Sequence, residues 1–223
     1  LPALMACKVP PHLALGTNKF QSVMGTSCAL ANYWRKSKVA WHVAAVGIPF
    51  SLIGSALGAR LALYVPQALL AKVIVALLPF AGIAIFSSRR IIRASEHAHI
   101  VMHSLYFVTP IVCAVIGLYD GFFGPGTGTF LIIALVLFLR MSMINASATA
   151  KTFNLASNVG AFITFIVSGH IDYQIGLVMG TANITGAISG SHLAMKHGHN
   201  LVRRLLAVSI GMLFIYLIWK YLI

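Results

Sequence analysis

The sequence predicts an all-α membrane protein, a polytopic helical bundle of two inverted repeats with about five helices each in the complete protein. Three observations lead to this prediction: the composition, a series of apolar segments and an internal repeat. Of the 223 residues, 59 % are hydrophobic and 9 % are charged, and the mean hydropathy is +0.91. Soluble domains carry about 25 % charged residues, so a large core alone does not explain this composition.

The few charges are strongly biased towards basic residues. Glu96, Asp120 and Asp172 are opposed by sixteen lysines and arginines, which gives a formal net charge of +13. A nucleic-acid-binding protein gathers its bases on one wet face. Here they occur in short runs between apolar segments, as in loops that set the orientation of a membrane protein. The expected partner is therefore the lipid bilayer, and nucleic acid is not expected to bind.

Eight apolar segments are candidates to cross a bilayer, which takes about 20 residues. The fourth and fifth are short, and prolines interrupt several of them. Two glycine pairs, Gly54/Gly58 and Gly186/Gly190, have the spacing that lets two helices approach closely. The segments run over residues 17–34, 41–63, 66–86, 103–118, 127–140, 146–168, 173–195 and 203–222.

A shift of 132 positions superposes the two halves of the chain in one register without gaps. It places Lys19 on Lys151 and each residue of the first glycine pair on its counterpart in the second. The expected organisation is a first, shortened transmembrane repeat (1–86), a basic cytoplasmic linker (87–102) and a second transmembrane repeat (103–223). The first repeat is expected to lack about 30 residues at its start, including a partner for the glycine-rich stretch of the second.

Positive charge predicts the orientation of the two repeats. The loop at 35–38 is rich in lysine and arginine and is expected on the cytoplasmic side. Its counterpart at 167–170, together with Asp172, has no lysine or arginine. The two loops are therefore expected on opposite sides of the membrane. Inverted copies of this kind are typical of secondary transporters, whose substrate site lies near the midplane between them.

The glycine-rich stretch at 120–130 is the strongest break in the apolar pattern. Its glycines and its proline oppose a regular helix, and irregular backbone at membrane depth is tolerated where it is buried in protein or lines a cavity. Free N–H groups at the start of the next helix, with Thr127 and Thr129 as caps, would suit an anion. The alternative is a turn with a structural role only. The candidate ligands are Gly124, Gly126, Thr127 and Gly128.

Lys19 and Lys151 lie near the beginning of equivalent apolar segments. A lysine inside a membrane costs about 2.5–3.5 kcal/mol on insertion scales, so two at symmetric positions indicate a function. The alternative is that both snorkel to the nearer interface. Polar neighbours at helical spacing add hydrogen-bond donors suited to a small anion, and the candidate ligands among them are Thr17, Asn18, Gln21, Thr149 and Asn154.

Asp120 has two interpretations, which the sequence leaves open. An acid in an apolar setting beside the glycines is a candidate for coupling proton movement to transport. As a helix cap or as the partner of a lysine it would have a structural role only. No cofactor is predicted. No metal site is predicted either, because no carboxylate or thiol except Glu96 lies near the histidine clusters to complete a site.

Three runs resemble the TauE/SafE sulfite exporter family, in particular its YfcA-like members. They are PHLALGTNKFQS at 11–22, DGFFGPGTG at 120–128, and ATAK at 148–151 followed by Asn154 and Asn158. The resemblance covers essentially the whole chain. It implies a multi-pass transporter of the bacterial cell inner membrane that exports small sulfur-containing anions such as sulfite or organosulfonates.

The predicted function is therefore secondary transport of a small anionic substrate by alternating access, with a homodimer as one expected assembly. The first alternative is a non-transporting membrane scaffold, and a membrane-embedded enzyme is less favoured. An enzyme needs acids, bases or nucleophiles that converge on one site. Three acids in three separate regions do not provide them.

Overall fold

The computed structural model describes residues 1–35, 39–74, 76–77 and 102–197. These residues form helices, and no strand occurs among them, so the predicted all-α class is confirmed. Parts of three predicted regions lie outside the described residues. They are the segment 203–222, residues 75 and 78–86 of the segment that begins at 66, and residues 87–101 of the linker. The helices are α1 (Pro2–Ala6), α2 (Pro11–Arg35), α3 (Trp41–Tyr64), α4 (residues 67–74), α5 (Met102–Phe122), α6 (Thr127–Leu139), α7 (Met143–Val167) and α8 (Tyr173–His197).

Local sequence signals explain three of the helix ends. Helix α2 begins at Pro11. Proline has no backbone N–H, and at the first position of a helix this group would have no partner within the helix. Asp172 caps α8, since its Oδ1 accepts a hydrogen bond from Ile175 N at 3.0 Å. Helix α3 ends where Val65 becomes extended directly before Pro66, as expected for a residue that precedes proline.

The glycine-rich stretch is less irregular than predicted. Helix α5 continues through Asp120 to Phe122, so the break covers only residues 123–126. Gly124 has φ +94° and Gly126 has φ +86°, a left-handed conformation that favours glycine. The predicted caps are wrong, because the N-cap of α6 is Gly126 and no side chain caps this helix.

The distribution of apolar side chains is that of a bundle in lipid. Large apolar residues at helical spacing are exposed on the outer faces of α3 and α5, whereas many hydroxyl, amide and charged side chains are buried. Such a large exposed apolar surface marks contact with a membrane or a partner. Of the described helices, α3 alone is both long and apolar enough to cross a membrane on its own, with a hydropathy of 1.5. The exposed residues on α3 and α5 include Phe50, Ile53, Leu57, Leu61, Phe107, Ile111 and Val115.

Glycines bring α3 and α5 into backbone contact, as the spacing of Gly54 and Gly58 predicts. A Cβ on Gly58 would collide with the carbonyl oxygen of Leu118, and one on Gly121 would collide with that of Ser55. The second glycine pair differs, because no described atom lies within 4 Å of a Cβ placed on Gly186 or Gly190.

Two reciprocal hydrogen bonds link equivalent helix ends of the two repeats. The Oγ1 of Thr17 accepts a bond from Asp172 N at 2.9 Å. At the equivalent positions, the Oγ1 of Thr149 accepts a bond from Ala40 N at 3.1 Å. The shift of 132 positions therefore relates contacts as well as residues, with the two copies exchanging roles.

A second reciprocal pair lies deeper in the bundle. Asn183 Nδ2 donates to the carbonyl oxygen of Gln21 at 3.1 Å, and Ser51 Oγ donates to that of Phe153 at 2.8 Å. These four residues are related by the same shift. The bounds of α2 and α7 also coincide under it, since Pro11 falls on Met143 and Arg35 on Val167.

The equivalent helices α2 and α7 run in opposite directions where they pack together. Near the beginning of α2, a Cβ on Gly16 would meet Phe165 close to the end of α7. Further along α2, Phe20 stacks on Phe162 with ring centroids 5.4 Å apart. Inversion of the two repeats across a membrane stays a prediction, which this packing favours.

The glycine contacts predict that the same substitution changes stability differently at the equivalent positions Gly58 and Gly190. Gly58→Ala is expected to destabilise the protein by about 1–3 kcal/mol, because the new methyl group has no room against the backbone of α5. Gly190→Ala is the matched control and is expected to leave stability unchanged or slightly raised, since alanine is the better helix former. Melting temperatures of the purified proteins in detergent measure both effects, and equal melting temperatures would contradict the assigned packing.

Candidate functional site: a buried polar cluster between α2, α5, α6 and α7

A buried ion pair joins the two repeats. Lys19 on α2 and Asp120 on α5 are 1 % and 2 % exposed, and Lys19 Nζ lies 2.9 Å from Asp120 Oδ1. The structure thus gives Asp120 the second of its two predicted roles, as the partner of a lysine. A role in proton coupling stays a prediction. Snorkelling is wrong for Lys19, because its ammonium group ends inside the bundle.

Hydrogen bonds from two further helices complete the shell of this ion pair. Thr127 Oγ1, at the start of α6, lies 2.8 Å from Asp120 Oδ1, and Ser157 Oγ on α7 donates to Asp120 Oδ2. Lys19 Nζ also donates to Asn158 Oδ1 on α7 at 3.2 Å. A buried ion pair needs such additional bonds to offset the cost of removing two charges from water.

The turn between α5 and α6 is held against this pair. A Cβ on Gly124 would lie 3.2 Å from both Lys19 Nζ and Asp120 Oδ1, so the missing side chain lets the turn pass close to the charges. The hydroxyl group of Tyr119 donates to the carbonyl oxygen of Pro125 at 2.7 Å and fixes the turn from its other side. The predicted residues Gly124, Gly126 and Thr127 therefore position the turn and its neighbouring carboxylate.

A row of polar side chains continues from the ion pair along α7. Asn158 Nδ2 donates to Asn154 Oδ1 at 3.0 Å. Asn154 Nδ2 in turn lies beside the first turn of α6, where a Cβ on Gly128 would be 3.4 Å from it. Lys151 precedes Asn154 by three residues, which places the two on one face of the helix.

Lys151 differs from its counterpart Lys19 in having no counter-ion among the described residues. It is partly buried, and no hydrogen bond or ion pair joins its ammonium group to any residue that the structure describes. The two symmetric lysines therefore have different surroundings. Asp120 pairs with Lys19, whereas no described acid pairs with Lys151.

Four of the predicted ligands lie outside this cluster. Thr17 and Thr149 are fully buried, and their hydroxyl groups accept backbone N–H bonds at the helix ends. Gln21 Nε2 donates to Asn18 Oδ1 at 3.1 Å, and Gln21 Oε1 accepts a bond from Asn183 on α8 at 2.6 Å. Thr17, Thr149 and Gln21 thus join different helices, whereas the bond of Asn18 lies within α2.

Ser157 is the member of the cluster that the sequence analysis missed. It follows Asn154 by three residues, so the polar spacing along α7 was the available signal. The described residues also contain no group of three or more histidines, cysteines or acids that could hold a metal ion. The second described acid, Asp172, is the cap of α8. The cluster is suited to binding charge by hydrogen bonds and electrostatics.

The ion pair predicts strong coupling between its two members. Lys19→Met is expected to cost about 3–5 kcal/mol, because it leaves a carboxylate buried without a counter-ion. Asp120→Asn is expected to cost a similar amount by leaving the ammonium group unpaired. The double variant Lys19→Met/Asp120→Asn should cost clearly less than the sum of both. Unfolding of the three variants in detergent measures this coupling, and strictly additive costs would contradict it.

Comparison with known proteins agrees with this architecture. Residues 1–217 match the family described as Sulfite exporter TauE/SafE. The chain is 34 % identical over 210 residues to the "Probable membrane transporter protein ORF9" of Sinorhizobium sp, with 93 % of this chain and 78 % of the relative covered. It is 32 % identical over 208 residues to the "Probable membrane transporter protein YfcA" of Escherichia coli (strain K12), with 93 % and 76 % covered.

A third relative, a "Probable membrane transporter protein" of Haemophilus influenzae, is 33 % identical over 215 residues, with 93 % of this chain and 80 % of the relative covered. No solved structure matches the chain. The names of these relatives indicate membrane transport rather than catalysis. Because the family match extends over nearly all residues, the chain belongs to the TauE/SafE family and is a membrane transporter.

Proposed function

We propose that this protein moves small sulfur-containing anions, such as sulfite or organosulfonates, out of the cell through the inner membrane, as a multi-pass secondary transporter with alternating access. The single observation that carries the proposal is that no described acid pairs with Lys151, which lies beside the polar row of α7. The choice of sulfur anions follows the description of the family as sulfite exporters.

Charge accounting supports an anionic substrate. Lys19 and Asp120 form a pair without net charge, so the pair alone does not attract an anion. Lys151 adds a positive charge that no described acid balances. An ammonium group inside a membrane is costly unless it has a partner. A substrate anion that binds during transport is such a partner.

Neutral donors near Lys151 support the same proposal. Asn154 Nδ2 lies beside Gly128 in the first turn of α6, where the positive end of the helix dipole favours a negative charge. An oxyanion offers several acceptors in a small volume. A charged lysine, a carboxamide and a helix N-terminus together complement it.

The packing of the repeats supports alternating access. The equivalent helices α2 and α7 are antiparallel, and two sets of reciprocal hydrogen bonds relate the copies. The polar cluster lies between the copies, since Lys19 belongs to the first and Asp120, Asn154 and Lys151 to the second. In secondary transporters with inverted repeats, one repeat moves against the other around such a site.

The alternative functions explain fewer of these features. A non-transporting scaffold has no use for a lysine without a counter-ion inside the bundle. In an enzyme we would expect a carboxylate free to act as acid or base, whereas Asp120 is held by an ammonium group and two hydroxyl groups. A homodimer stays a prediction.

Efflux from proteoliposomes tests the substrate and the site. The wild type is expected to release sulfite, and Lys151→Gln to slow the release about tenfold or more, because a charged hydrogen bond to the anion is lost. Lys72→Gln is the control, since Lys72 is exposed on α4. Equal rates in the wild type and in Lys151→Gln would rule out the assigned site.

Cysteine labelling in cells tests the inversion. Trp41 and Tyr173 are equivalent and both exposed at the beginning of a helix. In a variant without native cysteines, a maleimide that cannot cross membranes should label Tyr173→Cys from outside and Trp41→Cys only after permeabilisation. Labelling of both from the same side would exclude inverted repeats.

A further inference from the structure

The carboxamides of Asn158 and Asn154 form a short hydrogen-bonded chain whose direction is set at one end. Lys19 Nζ donates to Asn158 Oδ1 at 3.2 Å. An ammonium group has three donors and no lone pair. Lys19 therefore requires that Asn158 turns its oxygen, and not its nitrogen, towards α2.

This orientation continues to the next residue of the chain. With its oxygen facing Lys19, Asn158 directs Nδ2 towards Asn154 and donates to Asn154 Oδ1 at 3.0 Å. The oxygen of Asn154 is then occupied, so its Nδ2 is left at the open end. No acceptor among the described residues bonds this Nδ2, and it faces the space beside Gly128.

We propose that Lys19 and Asn158 are positioning residues that make the site selective for anions, by holding the open end of this carboxamide chain as an N–H donor. The inference rests on the proposed function and deepens it, because it states what makes the site prefer negative charge. A carboxamide without an anchor can present either its oxygen or its nitrogen. The opposite orientation would direct a carbonyl oxygen at the anion and repel it.

The pairing of Asp120 with Lys19 indicates that Lys19 positions other groups and does not bind the anion directly. Because the carboxylate neutralises Lys19, the lysine contributes little net attraction to an anion near Lys151. Asp120 also holds the ammonium group within reach of Asn158. Lys19 thus acts on the substrate through the orientation of two carboxamides, and removal of the neutral pair as a unit leaves the net charge of the site unchanged.

The first test measures KM and the maximal rate of sulfite efflux from proteoliposomes for Asn158→Leu. This change keeps the charge and the approximate size of the side chain but removes the link between Lys19 and Asn154. KM is expected to rise about tenfold with little change in maximal rate. Asn32→Leu is the matched control, since it removes a bond of 2.8 Å from Asn32 Nδ2 to Ser191 Oγ outside the chain.

The second test uses Lys19→Met/Asp120→Asn, which keeps the net charge and removes the donor that anchors Asn158. The same rise in KM is expected. Adding Asn158→Leu to this double variant should raise KM no further, because both changes act through the same carboxamide. If the KM of the triple variant rises by the product of the two separate increases in KM, Lys19 and Asn158 act independently and the inference is overturned.

The remaining outcomes separate the inference from the proposed function. An unchanged KM in Asn158→Leu, at a wild-type melting temperature, overturns the inference and leaves the proposed function standing if Lys151→Gln still slows efflux. Absence of sulfite efflux from the wild type overturns the proposed function, and the inference with it. If Asn158→Leu does not fold, the KM of the charge-neutral double variant decides.

Discussion

The buried ion pair between Lys19 and Asp120 is the interaction on which the arrangement of the bundle depends. It connects the first repeat to the second at a depth where neither charge reaches water. Such a pair is tolerated only when other groups satisfy its remaining donors and acceptors. Thr127, Ser157 and Asn158 do this, and they bring α6 and α7 to the same point.

The pair also gives the equivalent lysines Lys19 and Lys151 different surroundings. Lys19 and Lys151 occupy equivalent positions in a scaffold that has two pairs of reciprocal hydrogen bonds, yet an acid faces only one of them among the described residues. Lys19 is therefore paired within the bundle, whereas Lys151 has no described counter-ion. The framework is thus related by the repeat, whereas the distribution of charge within it is not.

Packing explains why so much polarity is tolerated inside this chain. The apolar side chains that would fill the core of a soluble protein face outwards on α3 and α5, and close contact between helices relies on glycines. In lipid, the burial of apolar side chains gains little free energy, so small residues and interhelical hydrogen bonds bring helices together. Gly186 and Gly190 have the same spacing but are exposed, and no described helix packs against them.

The sequence by itself determined the helices, the break before α6, the repeat of 132 positions and the equivalent positions of Lys19 and Lys151, because each is a local or periodic property of the chain. It did not determine that Asp120 pairs with Lys19, that Ser157 joins them, or that Thr17 and Thr149 accept backbone N–H bonds. Those contacts join residues far apart in the chain, and only the packing of α2 against α5 and α7 decides which of them meet. The break was shorter than predicted for the same reason, since contact of Gly121 with α3 favours continuing α5 to Phe122.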